Sequence, residues 1–227
     1  MPATIEIKND IAVITMDDGK ANAINPTMLE ALHGCLDEAE KNAKALVITG
    51  REGRFSGGFD LKLFASSPAE EVVALVNRGG LLAHRLFSFP MPVIAACNGH
   101  GIAMGSFILL SCDIRIGTKG AFKVGANETT IHMVVPEWAV ELMQNRLSPA
   151  ALTQSGVFGQ LFDPEGAIGA GYLDEVADAD KVLEIAMGYA SALAPLSGTS
   201  LTGNKRLFRE KTLEAMRAHV PSELSLF

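Results

Sequence analysis

Two glycine-rich stretches and one glutamate hold the residue types best suited to chemistry in this chain. The first stretch is Phe55-Ser56-Gly57-Gly58-Phe59-Asp60-Leu61, which closes a segment rich in glycine and basic residues, 50–58. The second is residues 92–113. There a short apolar run, 92–97, meets the loop Asn98-Gly99-His100-Gly101, and an apolar or small segment, 102–112, comes after it. A run bounded by turn residues reads as a buried strand, and an all-round apolar segment of that length as a buried helix. Strand, glycine loop and helix are therefore predicted twice, over 45–64 and over 92–113. A helix N-terminus leaves backbone N–H groups unpaired and favours negative charge. Two such loops side by side would aim two sets of donors at one point, and a pair of N–H groups on one oxygen is an oxyanion hole. Taken singly, either loop is explained as well by a tight turn.

Glu128 stands among Phe122, Val124, Ile131, Met133, Val134 and Val135. Burial there would raise its pKa and make it a better base. A turn cap or an ion pair with a lysine would account for it equally well.

Other chemistries find little support. Gly99-x-Gly101-x-x-x-Gly105 is one residue too long for a dinucleotide fingerprint, and Asp113 comes too early to be its acidic partner. No phosphate-binding G-x-x-x-x-G-K-[S/T] is present, and neither Ser56 nor Ser106 lies in G-x-S-x-G. His33, His84, His100, His132 and His219 are scattered without metal-ligand spacing, so no metal is expected. His100 could touch a ligand or hold its own loop. Lys205, Arg206, Arg209 and Lys211 fall on a C-terminal helix, as a solvated face or as phosphate contacts.

The elements that must position these residues are read from periodicity. Residues 4–8 and 11–16 alternate and predict a hairpin around Asn9-Asp10. Asn25-Pro26 caps a helix carrying Met28, Leu32, Cys35, Leu36 and Ala39 on one face. Residues 45–49 read as a strand and 69–87 as an amphipathic helix stopped by Pro90 and Pro92. Short strands are predicted at 114–116, 122–124 and 173–176, and helices at 136–146, 149–155 and from Pro164. From 179 the pattern is helical to about 217, broken at Pro195 and Gly198.

The 227 residues fit one domain, with a core over 1–195 and a C-terminal helical segment over 196–227. A hydrophobic content of 48% supplies a substantial core, and the net charge of −7 argues against non-specific nucleic-acid binding. Cys35, Cys97 and Cys112 have no CxxC spacing and read as free core thiols in a reducing compartment. There is no signal pattern and no apolar run long enough to span a bilayer. The expectation is a soluble cytoplasmic protein with no membrane partner.

Taken together, the two glycine units resemble a known family. Residues 55–61 are similar to the "F-S-[AG]-G-x-D-[LI]" segment of the crotonase (enoyl-CoA hydratase/isomerase) superfamily, and residues 92–113 resemble its "P-V-I-A-A-[VI]-N-G…CD" segment. The stretch from Phe162 through Ala170-Gly171-Tyr172-Leu173-Asp174 resembles its "A-x-x-x-G-[LI]-[VI]-D". The match covers the chain in the right order. It implies an α/β fold, a spiral of repeated β-β-α units with C-terminal helices used in oligomer contacts, in a homotrimer or a dimer of trimers. It also implies an acyl-CoA substrate and no separate cofactor. By the same resemblance the oxyanion donors are the backbone N–H groups of Phe59 and Met104. Ser56, Gly58, Phe59, Asp60, Leu61 and Phe107 would line the CoA and acyl sites. Met104 departs from the glycine common in the family and could narrow the acyl pocket. Hydratases of the family use two glutamates, and Phe107 stands where the first would be. Gly125-Ala126-Asn127-Glu128-Thr129 is similar to the "G-x-N-E-[TV]" pattern of the Δ3,Δ2-enoyl-CoA isomerase branch, which works with a single glutamate. The expected activity is therefore an isomerase with Glu128 as base and acid. A hydratase using Glu128, alone or with Glu137 or Glu141, and a non-catalytic acyl-CoA-binding protein are the alternatives.

Overall fold

A computed structural model describes residues 1–221. Strands β1 (Ala3–Lys8) and β2 (Ile11–Met16) form the expected hairpin, with Asn9 and Asp10 both at positive φ in the turn. Helix α1 (Pro26–Asn42) starts where Asn25 accepts a hydrogen bond from the N–H of Met28. After it, strands come in pairs. β3 (Ala45–Gly50) is followed by β4 (Gly53–Ser56), α2 (Leu61–Ser66) and α3 (Ala69–Phe87). β5 (Val93–Cys97) is followed by β6 (Gly99–Ile102) and α4 (Met104–Ser111). β7 (Ile114–Thr118) is followed by β8 (Val124–Gly125) and a 3-10 turn, Glu128–Ile131.

The first strand of each pair enters a six-stranded sheet of order β1-β2-β3-β5-β7-β9, where β9 is Glu175–Ala177; the second enters a three-stranded sheet, β4-β6-β8. Apart from the β1–β2 hairpin, all of these pairings are parallel. The chain thus climbs as a spiral of β-β-α turns, as the resemblance implied. Two segments read as glycine loops, 50–58 and 98–101, contain β4 and β6. Strands of four residues are too short to show a period, and in β6 two of the four positions are glycine.

The central strands β3 and β5 are buried at every position because both faces of the sheet are covered. Leu46 and Ile48 of β3 face a large core with α1, α3 and α4, while Ala45 and Val47 pack under α8 (Val182–Leu193) in a second core. Cys97 and Cys112 are buried in the large core as free thiols, their pKa pushed up to about 12 by desolvation.

Among the described residues the helices not yet named include α5 (Glu137–Arg146), α7 (Pro164–Ala170) and α9 (Thr199–Ala218). Between α5 and α7 lies α6 (Pro149–Ala151), which runs on into a π-helical turn, Leu152–Val157. Helix α9 lies against α3 and α5. Its Lys205 and Arg209 do not form a solvated face. Both reach Asp113, at 2.8 and 2.7 Å, and the Arg209 guanidinium also stacks on Phe87. Residues 222–227, the end of the expected C-terminal segment, lie outside the described residues. Among the described residues, no helix is long and apolar enough to cross a membrane.

Candidate active site

The segments after the three strands of the small sheet meet at one cavity. Strand β4 leads into Gly57-Gly58-Phe59, β6 into Ala103-Met104, and β8 into Ala126-Asn127-Glu128. Parallel strands place all their carboxyl ends at one edge, where ligands of open α/β sheets gather. A cavity of about 320 Å³ opens there. It is bordered by Phe59, Ala103 and Glu128 together with the largely apolar wall of Leu61, Phe64, Val76, Ile131 and residues 133–135.

Backbone pairing sets the first donor. Ile24 donates its N–H to the Gly58 carbonyl at 2.8 Å and accepts from the Asp60 N–H at 3.1 Å. In such a parallel bridge the intervening residue, Phe59, points its own N–H away from Ile24. The loop is held from below. Asn22, fully buried, donates from Nδ2 to the carbonyls of Met16, Arg54 and Phe55. The Ser56 hydroxyl donates to the Asn22 carbonyl and accepts from the Gly58 N–H. Asp60 caps α2, accepting from the N–H groups of Lys62 and Leu63.

The second donor comes from a strained turn. Ala103 sits at φ 50, ψ −121, a conformation that costs a residue with a side chain roughly 1–3 kcal/mol. It is pinned by its N–H to the Gly125 carbonyl at 2.9 Å and by its own carbonyl, which accepts from Ser106 and Phe107. Met104 then opens α4, a position whose N–H has no acceptor within the helix. Among the described residues, neither the Phe59 nor the Met104 N–H has a hydrogen-bond partner. The two loops touch: a Cβ on Gly58, at φ +92, would come within 3.4 Å of the Met104 nitrogen.

Glu128 is 5% exposed, and its Oε2 is buried with no hydrogen-bond partner. Desolvation raises its pKa from 4.5 to about 7, against the smaller pull of the Asn127 and Glu128 backbone N–H groups. A network that sequence reasoning missed lies behind it. Tyr172 Oη sits 2.9 Å from Ser155 Oγ, and both accept from the Ala126 N–H at 3.2 Å. Ser106 of α4, whose hydroxyl donates to the Ala103 carbonyl at 2.8 Å, lies beside the Tyr172 hydroxyl. This network braces the backbone two residues before Glu128 against the first turn of α4. Its members lie far apart in sequence, and a π-helical turn supplies one of them, so no local signal marked them. Asn22 was likewise hidden in what read only as a polar loop.

Several expected contacts fall elsewhere. Ser56 and Phe107 are fully buried and do not border the cavity. Ser56 holds its loop, and Phe107 packs edge-on against Trp138 with ring centroids 5.5 Å apart. Gly58 and Asp60 shape the loop, whereas Phe59 and Leu61 border the cavity. Met104 does not narrow it. Its side chain is buried, with the sulfur beside Gly79 of α3, where a Cβ would come within 3.2 Å of it and 2.6 Å of the Phe59 ring. His100 accepts from the Lys123 N–H at 3.1 Å, a loop contact. Glu137 borders the cavity, but its carboxylate is largely exposed and lies 3.0 Å from His219 Nδ1; Glu141 lies 3.6 Å from Nε2 of the same ring.

A fold of paired strands with this cavity at its small sheet is the architecture of one family. Residues 6–227 match the model of the enoyl-CoA hydratase/isomerase family, and the chain belongs to it. The crystal structure of a probable enoyl-CoA hydratase, EchA3, from Mycobacterium tuberculosis superposes with a TM-score of 0.93 at 40% identity. It covers 97% of this chain and 93% of that one. A second structure of that mycobacterial protein, with a TM-score of 0.92, 40% identity and 96% coverage of each chain, is described as an enoyl-CoA isomerase. A putative enoyl-CoA hydratase from Thermus thermophilus is 30% identical over 88% of this chain and 81% of its own length. A probable enoyl-CoA hydratase from Bacillus subtilis is 34% identical over 58% of this chain, and the matched part spans 52% of that protein.

Proposed function

We propose that the protein is an enoyl-CoA isomerase, moving the double bond of a 3-enoyl-CoA into conjugation as the 2-enoyl thioester. Glu128 carries the reading: a buried carboxyl group in the cavity wall, with one oxygen unpartnered and a pKa near neutrality. Ionised, it removes a proton from C2 of the substrate. The electron pair delocalises over the diene and the thioester carbonyl, and the negative charge collects on that oxygen. The Phe59 and Met104 N–H groups, unpaired and on touching loops, are the donors we assign to it. The same carboxyl group, now protonated, returns the proton at C4, and the double bond comes to rest between C2 and C3. Base catalysis of this kind contributes ~10²–10⁴-fold, and loss of one oxyanion donor costs about 10²–10³-fold.

Hydration, which orients a water and delivers a proton, is served more naturally by two carboxyl groups than by one. At residue 107, where the resemblance puts a hydratase's first acid, Phe107 is packed on Trp138. One observation favours the hydratase reading, namely that Glu137 also borders the cavity. Its exposure and its contact with His219 make it the weaker candidate. The deciding assay supplies a 3-enoyl-CoA and follows the absorbance of the conjugated thioester, with Glu128→Gln as control. Turnover no faster than that control would sink the proposal. Formation of a 3-hydroxyacyl product from 2-enoyl-CoA would favour hydration, and Glu128-independent binding without turnover a purely binding role.

We also assign the protein to a homotrimer or dimer of trimers. Leu207 and Phe208 on the outer face of α9, 71% and 87% exposed, support subunit contacts there.

A further inference from the structure

Beside the Glu128 cavity lies a second one, of about 250 Å³, bordered by Pro26, Leu63, Val72 and Leu75 with Glu71 and Arg78. Phe64 is the residue the two cavities have in common. Helix α3 runs past both, contributing Val76 to the first and Val72, one turn earlier on the same face, to the second. The partition is carried by a slight element. Helix α2 has six residues, none of them buried, and the Phe64 ring is steadied by stacking on Phe59 at 5.6 Å.

We propose that Phe64 sets the acyl-chain length the protein accepts, closing the Glu128 cavity against a second chamber that would take the distal methylenes of a long acyl chain. This rests on the acyl-CoA reading of the site. At about 320 Å³ the first cavity is at the small end of ligand pockets. With Phe64 in place, the tail of a long substrate must turn out into water. Opening the partition gives those carbons an apolar wall of Leu63, Val72 and Leu75. Each methylene moved from water into it tightens binding about fourfold, equivalent to ~0.8 kcal/mol.

The test compares hexenoyl-CoA and hexadecenoyl-CoA as 3-enoyl substrates. In Phe64→Ala the ratio of kcat/KM, long over short, is expected to rise on the order of tenfold or more over wild type. Ala74→Phe added to that variant refills the second chamber, which Ala74 borders, and is expected to return the ratio towards wild type. An unchanged ratio in Phe64→Ala, or a raised ratio that Ala74→Phe leaves in place, overturns the inference. Should Phe64→Ala not fold, Phe64→Leu serves, with a smaller rise in the same direction. The corresponding saturated hexanoyl- and hexadecanoyl-CoA, whose dissociation constants are measured by calorimetry on the same variants, separate the two claims. If no variant turns over any enoyl-CoA, the isomerase reading fails, and the binding ratio alone decides the role of Phe64.

Discussion

Glu128 shows how much one side chain's surroundings decide. A carboxyl group in water titrates near 4.5; here burial moves it to about 7. A base poised there is about half ionised at neutral pH and a stronger proton acceptor, beside a thioester, than an ordinary carboxylate. Replacing it with glutamine keeps the shape and removes the base, and a fall in kcat of ~10²–10⁴-fold is expected. The pH profile of wild-type kcat/KM is expected to lose activity below about 7, where Glu128 takes up a proton. Stability runs the opposite way. Between pH 4.5 and 7 the folded protein retains a proton that the unfolded chain releases, so stability falls as pH rises through that window. The change is roughly 3 kcal/mol. Denaturation curves at pH 5 and pH 8 are expected to differ between wild type and Glu128→Gln by this amount, while buried His33, its pKa lowered to about 4 by desolvation, adds a change of opposite sign to both proteins. At the same scale, Met104 and Phe107 carry different lessons. Met104, where the resemblance often puts a glycine, does not obstruct the cavity, because Gly79 leaves room for its sulfur. Phe107 fills the core with Trp138 at the position the resemblance gives to an acid.

At the scale of elements, the candidate site is made by the segments at the carboxyl ends of β4, β6 and β8. Each supplies one part: a loop turned by the Ile24 bridge, a helix opened by the strained Ala103, and a 3-10 turn headed by Glu128. The Tyr172–Ser155 pair braces the third part against the second, since both hydroxyls accept from Ala126 and Tyr172 lies beside Ser106 of α4. Tyr172→Phe leaves the packing volume and removes these bonds, an expected loss of ~1–3 kcal/mol in a denaturant titration. Because catalysis depends on sub-ångström placement of the base, kcat is expected to fall on the order of tenfold to a hundredfold while KM holds. A matching change in KM would assign Tyr172 to substrate binding instead.

The whole molecule holds its last helix by charge as well as by packing. Asp113 ends the central segment and accepts from the Val93 N–H, from Lys205 and from Arg209. One carboxyl group thus joins β5, the start of β7 and α9. Asp113→Ala leaves two largely buried cations without their partner, and roughly 3–5 kcal/mol of stability is expected to go, read as a lowered unfolding midpoint. Asp174 does similar work at Arg115, accepting from its backbone N–H and from Nε. The terminal aspartates of two recognisable sequence segments thus serve the fold.

Hydrophobic pattern in the sequence determined the hairpin, α1 and α3, whose buried faces repeat every two or every 3.6 residues, and the long buried strands, which stand out as compact apolar runs. The two glycine motifs also identified the family, and Glu128 could be singled out from its apolar flanks. The small sheet was not legible in this way. β4 (Gly-Arg-Phe-Ser) and β6 (Gly-His-Gly-Ile) are only four residues long and sit among glycines, too short to show a side-chain period, so they read as loops. Nor could sequence supply the direction of the Phe59 N–H, which depends on a bridge to Ile24, or the network behind Glu128, whose members are 17 to 66 residues apart. Lys205 and Arg209 read as surface until the fold brought Asp113 to them. Local pattern records which faces are buried; which N–H is left without an acceptor, and which charge finds a partner, depends on chain from elsewhere, so only the tertiary structure could decide them.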